Sequence, residues 1–352
     1  MNTAFVLMSR KRGFSLVELM IAMVLGLFLI GGVVSVFLSN RQVYRQNENL
    51  ARMQENARYA FEVVARDVRE AAGIACGNNL PTGNVLNSPT ASWWSNWGNG
   101  IEGYEGTEVL AAKAIGTNAQ DRVTGTDAIV IHSSTTNNGV VITDHNDSSA
   151  QFKVNTTSHG FADGDIVLVC DYKQAALFQI TSASASNVTI VHNTGNSAEP
   201  GNCSKGLGYP TVCTTNGTAH IFENGGFLTK LSANSWYIGF NGRGGRSLYR
   251  VRIETKNTNN GNCGTSGSKS TACPVTEEIA EGVTNMQAQY LSKDASGNLP
   301  DSYVDADSIT DWTRVVAVRI IFTLASLETV GTGNAALTRS WNMVVTLRNR
   351  QL

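Results

Sequence analysis

Phe14 to Leu38 form an apolar run of 25 positions broken only by Ser15, Glu18, Gly26, Gly31, Gly32 and Ser35. At about 1.5 Å per residue, a helix of this length crosses a hydrocarbon core of roughly 30 Å with some tilt. A cleaved secretory signal carries a shorter apolar stretch that ends in a small-x-small site, and "SVFLSNRQ" offers none. The run therefore reads as a retained membrane helix. Arg10, Lys11 and Arg12 hold the short N-terminus in the cytoplasm, which sends everything after Leu38 outward. Glu18 is the one carboxylate in the run. At the centre of a membrane it costs about 2.5–3.5 kcal/mol, less near the interface. It either snorkels to the headgroups from the first turn or meets a positive group from another helix.

Composition separates the rest of the chain from this segment. With 352 residues, 42% hydrophobic content and a net charge of −1, there is material for a sizeable core and no global basic field to recruit nucleic acid. Charged residues make up only 16%, and Gly, Asn, Ser and Thr crowd the region after residue 75, a mixture typical of secreted β-rich domains. From residue 39 the pattern turns amphipathic. Leu50, Met53, Ala57, Ala60 or Phe61, Val64, Val68 and Ala71 recur at three- and four-residue intervals. Glu48 precedes Arg52, and Glu62 precedes Arg66, at the favourable i,i+4 spacing. One helix is expected to run to about Ala72, where Gly73 can end it, with Gly31-Gly32 as a soft point. Beyond it, 127–134, 165–172, 187–193, 247–254 and 314–325 read as strands, Glu277 to Leu291 as a short helix running into a strand, and 255–273 as a polar loop.

The stretch Arg10-Lys11-Arg12-Gly13-Phe14-Ser15-Leu16-Val17-Glu18-Leu19 resembles the class III leader of type IV pilins, which prepilin peptidase cuts after the glycine before the new terminal phenylalanine is N-methylated. The resemblance implies a discarded leader of residues 1–13, with Gly13 before the cut and Phe14 as the methylated terminus. Glu18 becomes the fifth mature residue, which in the family pairs with a neighbouring subunit's terminal amine. "GDIVLVCDYKQAALFQIT" (164–181), "GRSLYRVRI" (245–253), "EEIAEGVTNMQAQY" (277–290), "DWTRVVAVRI" (311–320) and "VVTLRNR" (344–350) resemble, in order, the PilW branch of minor pilins. A more distant likeness is to the J pseudopilin of type II secretion.

A pilin-like α+β fold follows from the resemblance. It has a transmembrane and assembly helix at 14–38, an amphipathic continuation at 39–73 and a β-rich, disulfide-containing head at 74–352. The implied role is structural: a minor pilin that helps prime the pilus from its tip, with other minor pilins, the major pilin and a tip adhesin as partners. The implied path leads from the bacterial inner membrane, head in the periplasm, to the pilus tip at the cell surface. The J-type pseudopilin is the alternative, and a membrane-tethered exported enzyme is a third reading.

All six cysteines, Cys76, Cys170, Cys203, Cys213, Cys263 and Cys273, lie beyond the membrane segment, in what the charge rule makes an oxidising compartment. Cys203 with Cys213, and Cys263 with Cys273, would each close a short Gly/Asn-rich loop, and Cys76 with Cys170 follows by elimination. Fifteen connectivities are open in principle. No CxxC-type spacing near histidines calls for a metal, and no cofactor is expected. "GNGIEG" (98–103) satisfies G-x-G-x-x-G but follows "SWWSNW" instead of a strand, so it reads as a loop. His132, His145, His159, His192 and His220 are scattered singly, with no HExxH or GxSxG. Asp301, Asp305, Asp307 and Asp311 could offer oxygens to Ca²⁺ but lack the central glycine and distal glutamate of an EF-hand, which favours a solvated loop. Trp93, Trp94 and Trp97 fit either the head's own core or an interface.

Overall fold

A computed structural model describes residues 13–77, 80–135, 139–195, 198–257, 270–331, 333 and 335–350. It opens on one unbroken helix, α1 (Leu16–Glu70), of 55 residues and hence about 82 Å. Ser15 caps it. The Ser15 hydroxyl accepts the Glu18 N–H at 3.2 Å, and the Glu18 carboxylate accepts the Ser15 N–H at 3.4 Å, a capping box that satisfies two orphan donors. The helix passes through Gly31-Gly32 without a break and ends at Glu70, just short of the expected Ala72. Ala72 itself takes a left-handed φ of +58°, and its N–H turns to the His132 carbonyl at 2.8 Å.

The head begins with β1 (Thr82–Asn84), β2 (Ile101–Tyr104), β3 (Ala128–Ser134), β4 (Ile142–Asn146) and β5 (Gln151–Val154). Next come β6 (Ile166–Cys170), β7 (Ala175–Gln179), β8 (Ser182–Ala183), β9 (Thr189–Val191) and β10 (Ala198–Glu199). Six longer strands follow: β11 (Phe227–Phe240), β12 (Arg246–Asn257), β13 (Ser270–Glu281), β14 (Val283–Ser292), β15 (Val315–Ala325) and β16 (Thr338–Thr346). Nine strands make one sheet in the order β1-β7-β6-β11-β12-β13-β10, with β3 on β11 and β2 on β3. Besides β12, β11 serves two neighbours because it is 14 residues long: Phe227–Lys230 pair with β6, and Leu231–Trp236 with β3. A three-stranded sheet, β14-β15-β16, continues from β13 through Gly282, and a four-stranded one runs β4-β5-β9-β8.

Two cores result. α1 lays Met53, Ala57, Ala60, Phe61, Val64 and Val68 into the larger one, against Trp236, Met286, Val318 and Phe322. The smaller core, with Phe152, Phe178, Ile190 and Phe222 in it, contains no residue of α1. Burial along the stem differs from the expected stripe at its start, where Asn49 is buried and Leu50 only half-buried. Asn49 earns its place by donating to the Arg45 carbonyl at 2.9 Å and the Glu328 carboxylate at 3.3 Å.

Two expectations fail in the head. Glu277 to Leu291 contains no helix; it is the end of β13, a turn at Gly282 and most of β14. Its Glu, Ala, Gln and Met are good helix formers, but pairing with β12 and β15 overrides that preference. Arg250 lies directly opposite Glu277 in the ladder and bonds it at 2.7 Å. The polar stretch 255–273 is likewise strand at both ends, with Thr255↔Ala272 and Glu254↔Cys273 in register.

Candidate functional site: the stem and its seat

Gly13, Phe14 and Glu18 lie together at the free end of α1. Phe14 is 86% exposed, and the apolar side chains from Leu16 to Leu38 are exposed throughout, untouched by the head. By length and composition α1 can cross a membrane. The capping box holds the Glu18 carboxylate back over the first turn, beside the Ser15 N–H.

The other half of α1 is seated by polar bonds as well as by the apolar stripe. Arg45 meets Glu328 at 2.9 Å, the Gln46 side-chain amide donates to the Val330 carbonyl at 2.7 Å, and Asn56 donates to the Glu281 carbonyl at 3.0 Å. Near the helix end, Trp236 Nε1 donates to Asp67 Oδ2 at 2.9 Å. Burial pushes the Asp67 carboxyl up to about 6, against the opposing pull of Trp236 and Arg250. The C-terminal segment closes over this end. Asn349 Nδ2 donates to the Glu70 and Ala71 carbonyls at 3.4 and 3.3 Å, capping the last turn. Arg350 donates to the carbonyls of Trp312, Asn99 and Val315, and burial draws its guanidinium down to about 10. On the exposed side, Arg52 pairs with Glu48 at 2.6 Å, but Glu62 pairs with Arg58 at 2.9 Å instead of Arg66.

Sequence reading did not pick out Asp67, Arg350 or Glu328. Asp67 had left a trace, a carboxylate within one turn of Val64, Val68 and Ala71 on the face meant for packing. Arg350 and Glu328 left none, because their partners are remote in sequence.

Cys76 is joined to Cys170, and Cys203 to Cys213. Cys273 is also disulfide-bonded, and Cys263 lies outside the described residues. The first bridge ties the segment just past α1 to the end of β6. Trp94 is buried, while Trp93 and Trp97 are half-buried and pack on the same apolar cluster with Leu86, Leu168 and Leu231. Two of the three glycines of "GNGIEG" serve close packing: a Cβ at Gly100, whose φ is +67°, would lie 2.4 Å from the Ala72 Cβ, and one at Gly103 would lie 2.1 Å from the Tyr290 hydroxyl. Only part of that segment is the expected loop: Gly98 and Asn99 end a short 3-10 turn that starts at Trp97, Ile101 to Gly103 begin β2, and no α-helix follows.

The histidines are not all isolated. His145 and His192, 47 residues apart, set their Nε2 atoms 3.2 Å from each other among Phe152, Phe178 and Phe222. Burial pushes them down to about 4 and about 3, so both are neutral at physiological pH. His132 contacts the Trp93 carbonyl at 2.9 Å, His159 the Asn187 carbonyl at 3.1 Å, and His220 the Asp171 carboxylate at 2.8 Å. Asp305 accepts from Gln289 at 3.0 Å, and Asp311 caps its own turn through the Thr313 N–H and pairs with Arg314 at 3.0 Å. Among the described residues no three His, Cys, Asp or Glu side chains converge as metal ligands.

Residues 235–348 match the family model of the type IV pilus-assembly protein W, and residues 8–34 match that of the prokaryotic N-terminal methylation motif. The first match runs from within β11 through β16, the part of the head that carries most of the stem's seat. The second covers Gly13, Phe14 and Glu18. Segment 164–181 falls outside both. No curated protein matches the chain.

Proposed function

The chain is a PilW-like type IV minor pilin, and from that premise we propose that it stands in one or a few copies at the pilus tip, where it helps prime assembly with other minor pilins and a tip adhesin. Prepilin peptidase removes residues 1–13, leaving methylated Phe14 at the start of the stem. The stem waits in the inner membrane over residues 14–38, with the head in the periplasm, until Glu18 pairs with the terminal amine of a neighbouring subunit. Its work is structural and no catalysis is assigned to it.

The size of the head beside its single stem carries the placement at the tip. Residues 74–352 are 279 in number, which as one compact unit gives a radius of gyration of roughly 19 Å and a width of about 48 Å. Helical stems pack at about 8–10 Å between axes. A shaft built only of such subunits would crowd wide heads around closely spaced stems, and a few copies at a fibre's end avoid the conflict. Quantitative mass spectrometry of sheared filaments, combined with gold labelling of the head, tests this. A scarce subunit with label at one end is expected; abundance near that of the main pilin, or label along the shaft, would overturn it.

A further inference from the structure

An open groove of about 1020 Å³ runs along the exposed side of α1 at its head end. Its apolar lining is the half-buried Ile74 and Met343, with the buried Phe61 and Ala65 behind them. One wall is a ridge of the helix, Arg58, Glu62, Arg66 and Arg69; the other is Arg348 and Asn349, just past β16. Arg58 and Glu62 neutralise each other at 2.9 Å. Arg66, Arg69 and Arg348 are exposed and, among the described residues, form no ion pair, while Glu70 is the only other carboxylate lining the groove. The groove therefore presents a net charge of +2 over an apolar floor.

We propose that this groove docks an acidic, amphipathic segment of a different pilin subunit, whose carboxylates meet Arg66, Arg69 and Arg348 while its apolar side lies over Ile74 and Met343. The inference rests on the minor-pilin reading and adds the chemistry of the partner. Charge complementarity selects that partner, since opposed charges steer encounter and like charges across a contact disfavour the wrong one. A second copy of this stem fits poorly: residues 39–73 carry six arginines against five carboxylates and would bring net positive charge to a positive groove.

The test uses the full-length chain in pilus-forming cells, with a benzophenone-bearing residue installed at Thr135, an exposed position on the groove's rim. Irradiation should give an adduct with another subunit that has an N-terminal methylation motif, through a peptide of net negative charge. The combined Arg66→Glu, Arg69→Glu and Arg348→Glu variant should lower adduct yield at least about fivefold, on the scale of a few exposed ion pairs, while the corresponding three Arg→Lys changes keep it within about twofold. An adduct with a second copy, with this chain's own residues or with a protein of another kind overturns the proposal. So does a neutral or basic peptide, a yield indifferent to charge reversal, or an equal loss in the lysine variant. Recovery of pilins with no adduct at Thr135 sinks the groove alone; recovery of no pilin at all sinks the minor-pilin reading and the groove with it.

Discussion

At the scale of single residues, Asp67 makes the stem's seat sensitive to pH. Burial raises its carboxyl to about 6 from an ordinary 3.8, so the folded protein holds this proton more tightly than the unfolded chain does. The resulting stability is fully present below about pH 4 and is lost as pH rises through about 6. Two pH units correspond to an upper bound of about 3 kcal/mol, reduced because Asp67 is half-buried. Asp67→Asn keeps an acceptor for Trp236 and removes the titration. Denaturant unfolding should show its stability, relative to wild type, rising from pH 4 to pH 7; a constant difference would refute the assignment. Glu18 acts at the other end of the helix. Glu18→Ala removes half of the capping box and, on the proposed pairing, the partner for a neighbour's amine, yet makes the segment more apolar. Membrane insertion should be unchanged while co-recovery with other pilins falls several-fold, as fractionation and affinity capture from membranes would measure; wild-type recovery would exclude the pairing. Glu18 drew notice because a carboxylate in an apolar run is conspicuous, but its bond to the Ser15 N–H was not foreseen. Arg350 was not, because nothing local reveals that an arginine near the chain's end lies against Trp312, Asn99 and Val315.

Among elements, legibility followed the range of the interactions. α1 could be read almost to its last turn from apolar spacing, and β3, β6, β9, β12 and β15 from their β-branched residues. β11 escaped, though it is the longest strand, because Lys230, Ser232, Asn234 and Ser235 dilute its pattern and its extended form depends on β6, β3 and β12 alongside it. The same dependence turned the helix-favouring 277–291 into strands. Disulfides add a further layer. Cys76–Cys170 closes a separation of 94 residues and Cys203–Cys213 one of 10. In the chain-entropy account, loops of these lengths restrict the unfolded state by about 4.7 and about 2.7 kcal/mol respectively. The Cys76→Ser/Cys170→Ser double variant should therefore lose roughly 2 kcal/mol more stability than Cys203→Ser/Cys213→Ser in chemical unfolding. An equal or reversed order would show that the longer bridge does not act by restricting the unfolded chain.

For the molecule as a whole, the stem divides into a part that the head needs and a part that it does not. Up to Tyr44 every described side chain of α1 is exposed, and the first bond to the head comes from Arg45. From Met53 to Val68 the helix supplies the wall of the main core. A chain beginning at residue 40 should fold as a soluble head with a cooperative transition, whereas one beginning at residue 74 should aggregate or bind hydrophobic dyes, having lost Phe61, Val64 and Val68 from that core. Circular dichroism and size-exclusion chromatography distinguish the two, and a well-folded shorter chain would show the seat to be dispensable. The bridge from Cys76 to Cys170 has a mechanical consequence. It lies six residues past the end of α1, so along the covalent chain tension that enters through the stem and leaves by any strand after β6 passes through the sulfur atoms. Residues 77–169 are thereby bypassed, and a fibre under pull can load the long strands of the head without unravelling the loops and short strands that precede them.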